Sequence, residues 1–112
     1  MKDDYPKRGD VYWVRLDPTD DKEINKTRPC LVISSDIANH SELIVIAPIT
    51  SNAERIFPRI EVKITVAGRP GKVIPRQIRS IDKTKKLGNK IGAISSEEMK
   101  LIDEALRLIL GL

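Results

Sequence analysis

The sequence predicts a mainly β protein, in which short antiparallel strands make a strongly bent sheet or SH3-like barrel and one C-terminal α-helix packs against it. Three observations carry that expectation. Apolar residues between positions 10 and 94 either alternate with polar ones or fall in short runs bounded by Gly, Pro, Asn and Asp, which is strand-and-turn patterning. Only the last stretch repeats at helical spacing, with Met99, Ile102, Leu106 and Ile109 three and four residues apart. At 112 residues there is material for one modest core. A single domain is therefore expected over residues 1–112, with the barrel at about 8–94 and the helix at about 96–110.

The elements follow in order. Residues 10–16 (DVYWVRL) are β-branched and aromatic, and they stop at the turn formers of residues 17–21 (DPTDD). A polar loop runs on to Thr27. Residues 29–34 (PCLVIS) read as a second strand, with Pro29 tolerable at its start. Residues 35–42 make a polar connection with a short helical turn. Residues 43–49 (LIVIAPI) are apolar without alternation, as in a strand covered on both faces. Ile60, Val62, Ile64 and Val66 alternate with Glu61, Lys63 and Thr65, a half-buried strand. A turn at residues 67–71 (AGRPG) leads to a short strand through Val73 and Ile74, and a turn at residues 87–89 (LGN) to a last strand at residues 90–94. Ser95 can cap the helix, Glu98 completes a capping box, and Gly111 ends it. Leu101, Ala105 and Leu108 widen the apolar stripe beyond what one sheet needs. That surplus predicts a homodimer.

Composition narrows the function classes. Hydrophobic content of 40% and charged content of 32% are ordinary for a globular protein. No apolar run approaches the roughly 18 residues of a membrane span, and the opening residues 2–4 (KDD) are unlike a signal peptide. One cysteine, Cys30, rules out an internal disulfide framework, fits a reducing compartment and reads as a small buried strand residue. The expected location is the cytoplasm, with no membrane attachment. The formal charge of +4 conceals a segregation: residues 55–90 hold eleven Lys and Arg against Glu61 and Asp82, while the last 17 residues hold four acids and two bases. A tract this basic attracts polyanions, of which phosphate chains are the commonest in a cytosol.

The possible chemistry is limited. His40, the only histidine, lies in a polar connection and is expected to be solvated. One His and one Cys make neither an ordinary zinc site nor a nucleophile–base set, and no Walker-type phosphate loop is present. No metal or organic cofactor is implied. Any catalysis must use Arg, Lys, hydroxyl, amide or carboxylate groups. Two polar spots interrupt the apolar pattern: Arg28, before Pro29, and the triplet Thr50, Ser51 and Asn52 closing the third strand. If the second and third strands form a hairpin about residue 39, residues whose numbers sum to 78 face each other, and Arg28 meets Thr50. Opposed residues have Cβ atoms about 4.5–5.5 Å apart, so guanidinium and hydroxyl can converge on one phosphate. Metal-free RNA cleavage needs such groups to stabilise an anionic phosphorane while the 2′-hydroxyl loses a proton and the 5′ oxygen gains one. With a guanidinium pKa above about 12, Arg28 fits an electrostatic clamp and acid better than a base.

Four blocks in order, residues 8–18 (RGDVYWVRLDP), 28–34 (RPCLVIS), 45–51 (VIAPITS) and 77–82 (QIRSID), together resemble the MazF/PemK family of toxin–antitoxin ribonucleases. The ending at residues 91–112 (IGAISSEEMKLIDEALRLILGL) is similar to that family's last strand and helix. The resemblance implies the SH3-like barrel of the CcdB/MazF-like fold and a homodimer with its RNA groove along the interface. It implies sequence-specific cleavage of single-stranded RNA, leaving a 2′,3′-cyclic phosphate and a 5′-hydroxyl. It also implies neutralisation by an antitoxin whose tail fills the groove; the basic tract predicts an acidic, partly disordered segment in that partner. Arg28 matches the family's catalytic arginine and Thr50 its catalytic threonine, while Ser51 and Gln77 match groove positions. Asn52, next to them, joins the expected RNA contacts.

Two departures stand out. Relatives commonly place an acid immediately before the glutamine of QIRSID, where this chain has Arg76, a candidate phosphate contact. The loop at residues 20–27 (DDKEINKT) keeps Glu23 but lacks the glycines of many relatives. Among aromatics, Tyr12 and Trp13 read as core on an alternating strand, whereas Phe57, after the polar loop, is the candidate for stacking on RNA. Two other readings stay open on sequence alone: a gyrase poison of the CcdB kind, and a non-catalytic SH3-like RNA-binding module.

Overall fold

The computed structural model describes residues 5–16 and 27–112; the turn expected at residues 17–21, most of the loop after it with Glu23, and residues 2–4 lie outside the described residues. Among those described, strands β1 (Asp10–Arg15), β2 (Thr27–Val32), β3 (Leu43–Thr50), β4 (Val62–Val66), β5 (Arg69–Val73), β6 (Arg79–Asp82) and β7 (Leu87–Ala93) precede or flank a one-turn helix α1 (Lys83–Lys86) and the terminal helix α2 (Ser96–Leu110). The strands run β4-β5-β3-β2-β1-β7, with β6 also on β3, and every pairing is antiparallel. The result is a half-barrel with a C-terminal helix, as the sequence predicts.

The β2–β3 hairpin has the expected register. Cys30 faces Pro48, Leu31 faces Ala47 and Val32 faces Ile46, each pair summing to 78. On its other edge β3 changes partner midway: Leu43 to Ile46 pair with β6, and Ile49 and Thr50 pair with β5. Pro48 stands at the changeover. Its carbonyl accepts from the Ile74 N–H at 3.1 Å, and a strand residue's N and C=O point to the same side. The missing N–H of Pro48 therefore faces the gap between β6 and β5, and no ladder bond to β2 is lost.

Alternation along β2 and β3 splits the apolar residues between two faces. Val11, Leu31, Ile33, Ala47 and Ile49 join β4, Val73 of β5 and α2 residues Ile102 and Ala105 in the main core. Val14, Cys30, Val32, Ile44, Ile46 and Ile81 form a second cluster on the opposite face. Asn39, fully buried between β2 and β3, is satisfied by Ser34 and by the Lys83 ammonium on its carbonyl.

Helix α2 begins with the predicted capping box, Ser95 Oγ accepting from the Glu98 N–H at 3.0 Å and Glu98 Oε1 from the Ser95 N–H at 2.9 Å. Gly111 ends it in the left-handed conformation. Met99, Leu106 and Ile109 pack on the core beside Ile102, while Leu101 and Leu108 stay about half exposed at 50% and 47%.

Several expectations need correction. The turn after β4 is only Ala67 and Gly68, both at positive φ, which is the type I′ geometry whose twist suits a two-residue hairpin; Arg69, Pro70 and Gly71 already belong to β5. Residues 87–89 are strand rather than turn, because β7 passes so close to β1 that a Cβ on Gly88 would lie 3.0 Å from the Trp13 carbonyl. Trp13 is 43% exposed and not core, because it borders an open cavity beside Val11, Ile64 and Val66 instead of being covered by them; Tyr12 is half-buried against the second cluster. Strand β6 was not foreseen as a strand. Cys30 is buried, as expected.

Ile102 is the α2 side chain that seats the helix on the sheet, fully buried among β-strand residues. Ile102→Ala should lower unfolding stability by about 2–5 kcal/mol, measured as a fall in the urea midpoint at unchanged slope.

Candidate active site

The side chains of even residues on β2 and β3 share the face of the second cluster, so Arg28 follows Cys30 and Val32, and Thr50 follows Ile46 and Pro48. Continuing the observed hairpin register by two residues sets Arg28 across from Thr50. On β6, Arg79 shares this face with Ile81, because Arg79 pairs with Ile46 and Ile81 with Ile44. These positions converge at the end of the second apolar cluster, where the chain opens into a cleft of about 770 Å³.

Arg28, Thr50, Asn52, Arg55, Lys72, Gln77 and Arg79 supply its polar wall, with Glu54 the single carboxylate, over an apolar floor of Leu16, Pro48, Ile49 and Ile74. Four cations against one acid make it a receptor for anions. A low-polarity floor also strengthens each charge acting in it. Thr50 Oγ1 accepts from the Asn52 N–H at 3.3 Å and keeps its own proton as a donor. A Cβ on Gly71 would lie 2.9 Å from the Thr50 carbonyl, so only glycine lets β5 run against Thr50 and bring Lys72 to the wall.

A second cavity of about 730 Å³ shares Arg28 and Thr50 with the first and adds Ser51 and Trp13, with apolar Val11, Pro29, Ile64, Val66 and Ile91. The two residues proposed for chemistry thus form the partition between a cationic cleft and an apolar one. Phe57 and Arg76 line neither. They stand together nearby, the Arg76 guanidinium 5.4 Å from the centre of the Phe57 ring. Glu61 joins this pair to the cleft: it accepts from Lys72 Nζ at 2.8 Å and lies 3.9 Å from the Arg76 guanidinium. The Lys72 bond, the Phe57 N–H and the neighbouring cations hold the Glu61 carboxyl below the usual carboxylate range. His40 is exposed, its ring 3.9 Å from that of Tyr5 and tilted 44° to it, and takes no part in the cleft.

Sequence reasoning therefore located Arg28, Thr50, Ser51, Asn52 and Gln77 around the two cavities, and missed Arg55, Lys72 and Arg79. Arg79 carried little signal: Gln77 ends a short 3-10 turn at Pro75–Gln77, so strand alternation does not relate the two. Arg55 and Lys72 carried none, because separate turns of the chain bring them in. Among the described residues no group of three His, Cys, Asp or Glu side chains is placed to hold a metal ion.

Comparison with known proteins gives a consistent result. Residues 7–110 match the family described as PemK-like, MazF-like toxin of type II toxin–antitoxin system. The chain is 36% identical to endoribonuclease MazF9 of Mycobacterium tuberculosis, covering 95% of this chain and 97% of that protein. It is 37% identical to endoribonuclease EndoA of Bacillus subtilis, with 95% of each covered. A solved endoribonuclease in complex with its cognate antitoxin, from a mycobacterial species, superposes with a TM-score of 0.79 at 27% identity over 96% of each chain.

Burial pushes the Cys30 thiol from its ordinary 9.0 up to about 12, against the opposing pull of Arg79 and Arg28. The thiol is thus neutral beneath the cleft at any working pH. The folded chain keeps this proton where the unfolded chain loses it, so the associated stability is whole below about 9 and is withdrawn as pH rises towards about 12. Native protein at pH 8 should resist iodoacetamide at Cys30, and the same protein in urea should be alkylated fully, as read by intact mass.

Proposed function

The chain belongs to the PemK-like, MazF-like toxins of type II toxin–antitoxin systems, and from that premise we infer an endoribonuclease whose whole length acts as one toxin domain on single-stranded RNA. The observation that carries the assignment to this cleft is that Arg28 and Thr50 line it together with Arg55, Lys72 and Arg79, on strands paired with Cys30 against Pro48.

In the proposed reaction the 2′-hydroxyl attacks the adjacent phosphorus and the bond to the 5′ oxygen breaks. The 2′ proton leaves, a proton reaches the departing 5′ oxygen, and the ends are a 2′,3′-cyclic phosphate and a 5′-hydroxyl. Negative charge builds on the non-bridging oxygens as the phosphorane forms. The Arg28 guanidinium offers a fork of N–H donors to those oxygens, and the Thr50 hydroxyl adds a third donor. Groups fixed in place before the charge develops stabilise it with little reorganisation. Arg79, Lys72 and Arg55 hold the flanking phosphates, and Gln77, Asn52 and Ser51 present amides and a hydroxyl to the nucleotides. The donor chemistry of this wall needs no metal ion.

We place Arg28 and Thr50 at the interface of a homodimer. The apolar cavity behind them, with half-exposed Trp13, supports a second copy covering that side. An antitoxin with an acidic, partly disordered segment fits the cationic cleft by charge, in line with the antitoxin-bound relative. The single free thiol fits work in the cytoplasm.

Purified protein incubated with long single-stranded RNA in excess EDTA should give discrete cuts with the stated ends. Arg28→Ala should slow cleavage by roughly 10²–10³-fold, as for loss of one oxyanion donor. Cuts that persist in the variant would point to another catalytic set, and RNA left intact by the wild-type chain would overturn the reading. Sedimentation should give twice the chain mass, and Trp13→Glu should return it to the monomer.

A further inference from the structure

Phe57 is an exposed aromatic that the fold spends several interactions to hold still. It is 58% exposed, in a turn leading from the cleft to β4. Its carbonyl accepts from the Ile60 and Glu61 N–H groups at 3.3 and 2.9 Å. The Glu61 side chain reaches back to accept from the Phe57 N–H at 3.0 Å, so the two residues clasp each other twice. Arg59, inside the clasp, sits at φ 74°, a conformation a non-glycine residue keeps only when its surroundings enforce it.

Glu61 is in turn fastened from β5. Its side chain is only 10% exposed, and Lys72 Nζ bonds both to it and to the Arg55 carbonyl, at 2.8 and 2.6 Å. Arg76, half exposed, lies against the Phe57 ring and pairs with the other Glu61 oxygen. One carboxylate thus fixes the backbone beneath the ring, the cation beside it, and a lysine that lines the cleft. An exposed apolar ring gains nothing for folding from being held this way. A flat, oriented ring beside a phosphate-binding cleft does suit an unpaired nucleobase, whose face stacks on aromatics and on guanidinium planes.

We propose that Phe57, flanked by Arg76, is a stacking platform for one unpaired base next to the scissile phosphate, and that Glu61 is the positioning residue that locks it at a fixed distance from the cleft. This rests on the ribonuclease reading above and adds a specificity element to it. The platform reads that a base is present and unstacked, and its fixed distance from the cleft sets which nucleotide it takes. Glu61 acts through Phe57 and Arg76 and touches no substrate.

The test uses an RNA oligonucleotide spanning a mapped cut, made uncleavable by a 2′-deoxy sugar at that position, and copies with single abasic sites. Wild-type protein should lose about 5- to 100-fold in affinity when one particular flanking base is removed. Phe57→Leu should show that loss on the intact oligonucleotide and no further loss on the abasic copy, while Phe57→Trp should bind as wild type. On cleavable RNA, Glu61→Gln should raise KM more than it lowers kcat, and Phe57→Leu with Glu61→Gln should bind no worse than Phe57→Leu alone. If Phe57→Leu binds intact RNA like wild type, or if its loss adds to that of every abasic site, the platform is overturned. If the Glu61 and Phe57 losses simply add, the positioning role is overturned. RNA that wild-type protein leaves intact would overturn the ribonuclease reading itself and the platform with it.

Discussion

Because β3 is hydrogen-bonded along both edges and covered on both faces, it leaves the remaining elements little choice of position. One edge takes β2 in a single register; the other takes β6 and then β5, with Pro48 at the seam. The parity of its side chains assigns Ala47 and Ile49 to the helix side and Ile44 and Ile46 to the other. A slip of one residue in β2 against β3 would exchange those two sets and place Arg28 on the wrong face. Apolar packing thus fixes the geometry of the polar site: the arginine and the threonine reach one opening because buried residues hold the strands that carry them in register.

The cleft forms where the buried strand runs out. Beyond Pro48 and Ile49 the sheet parts, and cations from four segments reach the opening: Arg28 from β2, Arg55 from the loop after β3, Lys72 from β5 and Arg79 from β6. Like charges this close repel, and the scaffold offsets the repulsion in only one case among the described residues of the wall, through the Lys72–Glu61 pair. A bound polyphosphate chain relieves the rest. That asymmetry favours a bound polyanion over an empty cleft, and it makes the preference sensitive to salt.

Local rules made part of this legible in the sequence. The capping box needs only Ser95 and Glu98 three residues apart, and the hairpin register follows from where two apolar runs begin and end, so α2 and the β2–β3 register could be read directly. Strand β6 could not, because four residues with two exposed carry no periodicity and β6 exists only through its pairing with β3. Residues 87–89 have the composition of a turn, yet Gly88 serves there to let two backbones approach. Trp13 has the composition of core, yet lines the apolar cavity. Arg55 and Lys72 were hidden for the same reason as β6: their neighbours are set by topology. Conversely, Phe57 and Arg76 were singled out as separate RNA contacts, and their stacking on each other depends on Glu61, which reads in sequence as an ordinary exposed position of an alternating strand.

Both ends of the described chain are stitched across the sheet. The Arg8 guanidinium bonds to Asp103 of α2 at 2.7 Å and, through Nε, to the Ile33 carbonyl at 2.8 Å, while β1 pairs with β7 and α2 fills the main core with Ile102 and Ala105. A nascent chain that lacks this last segment has β1 without one neighbour and the main core face bare to water. Folding of this domain therefore waits for α2, which follows every strand in the chain. A break between β7 and α2 would remove the Arg8–Asp103 pair and the plug of the main core together, so this fold is gained or lost as a unit.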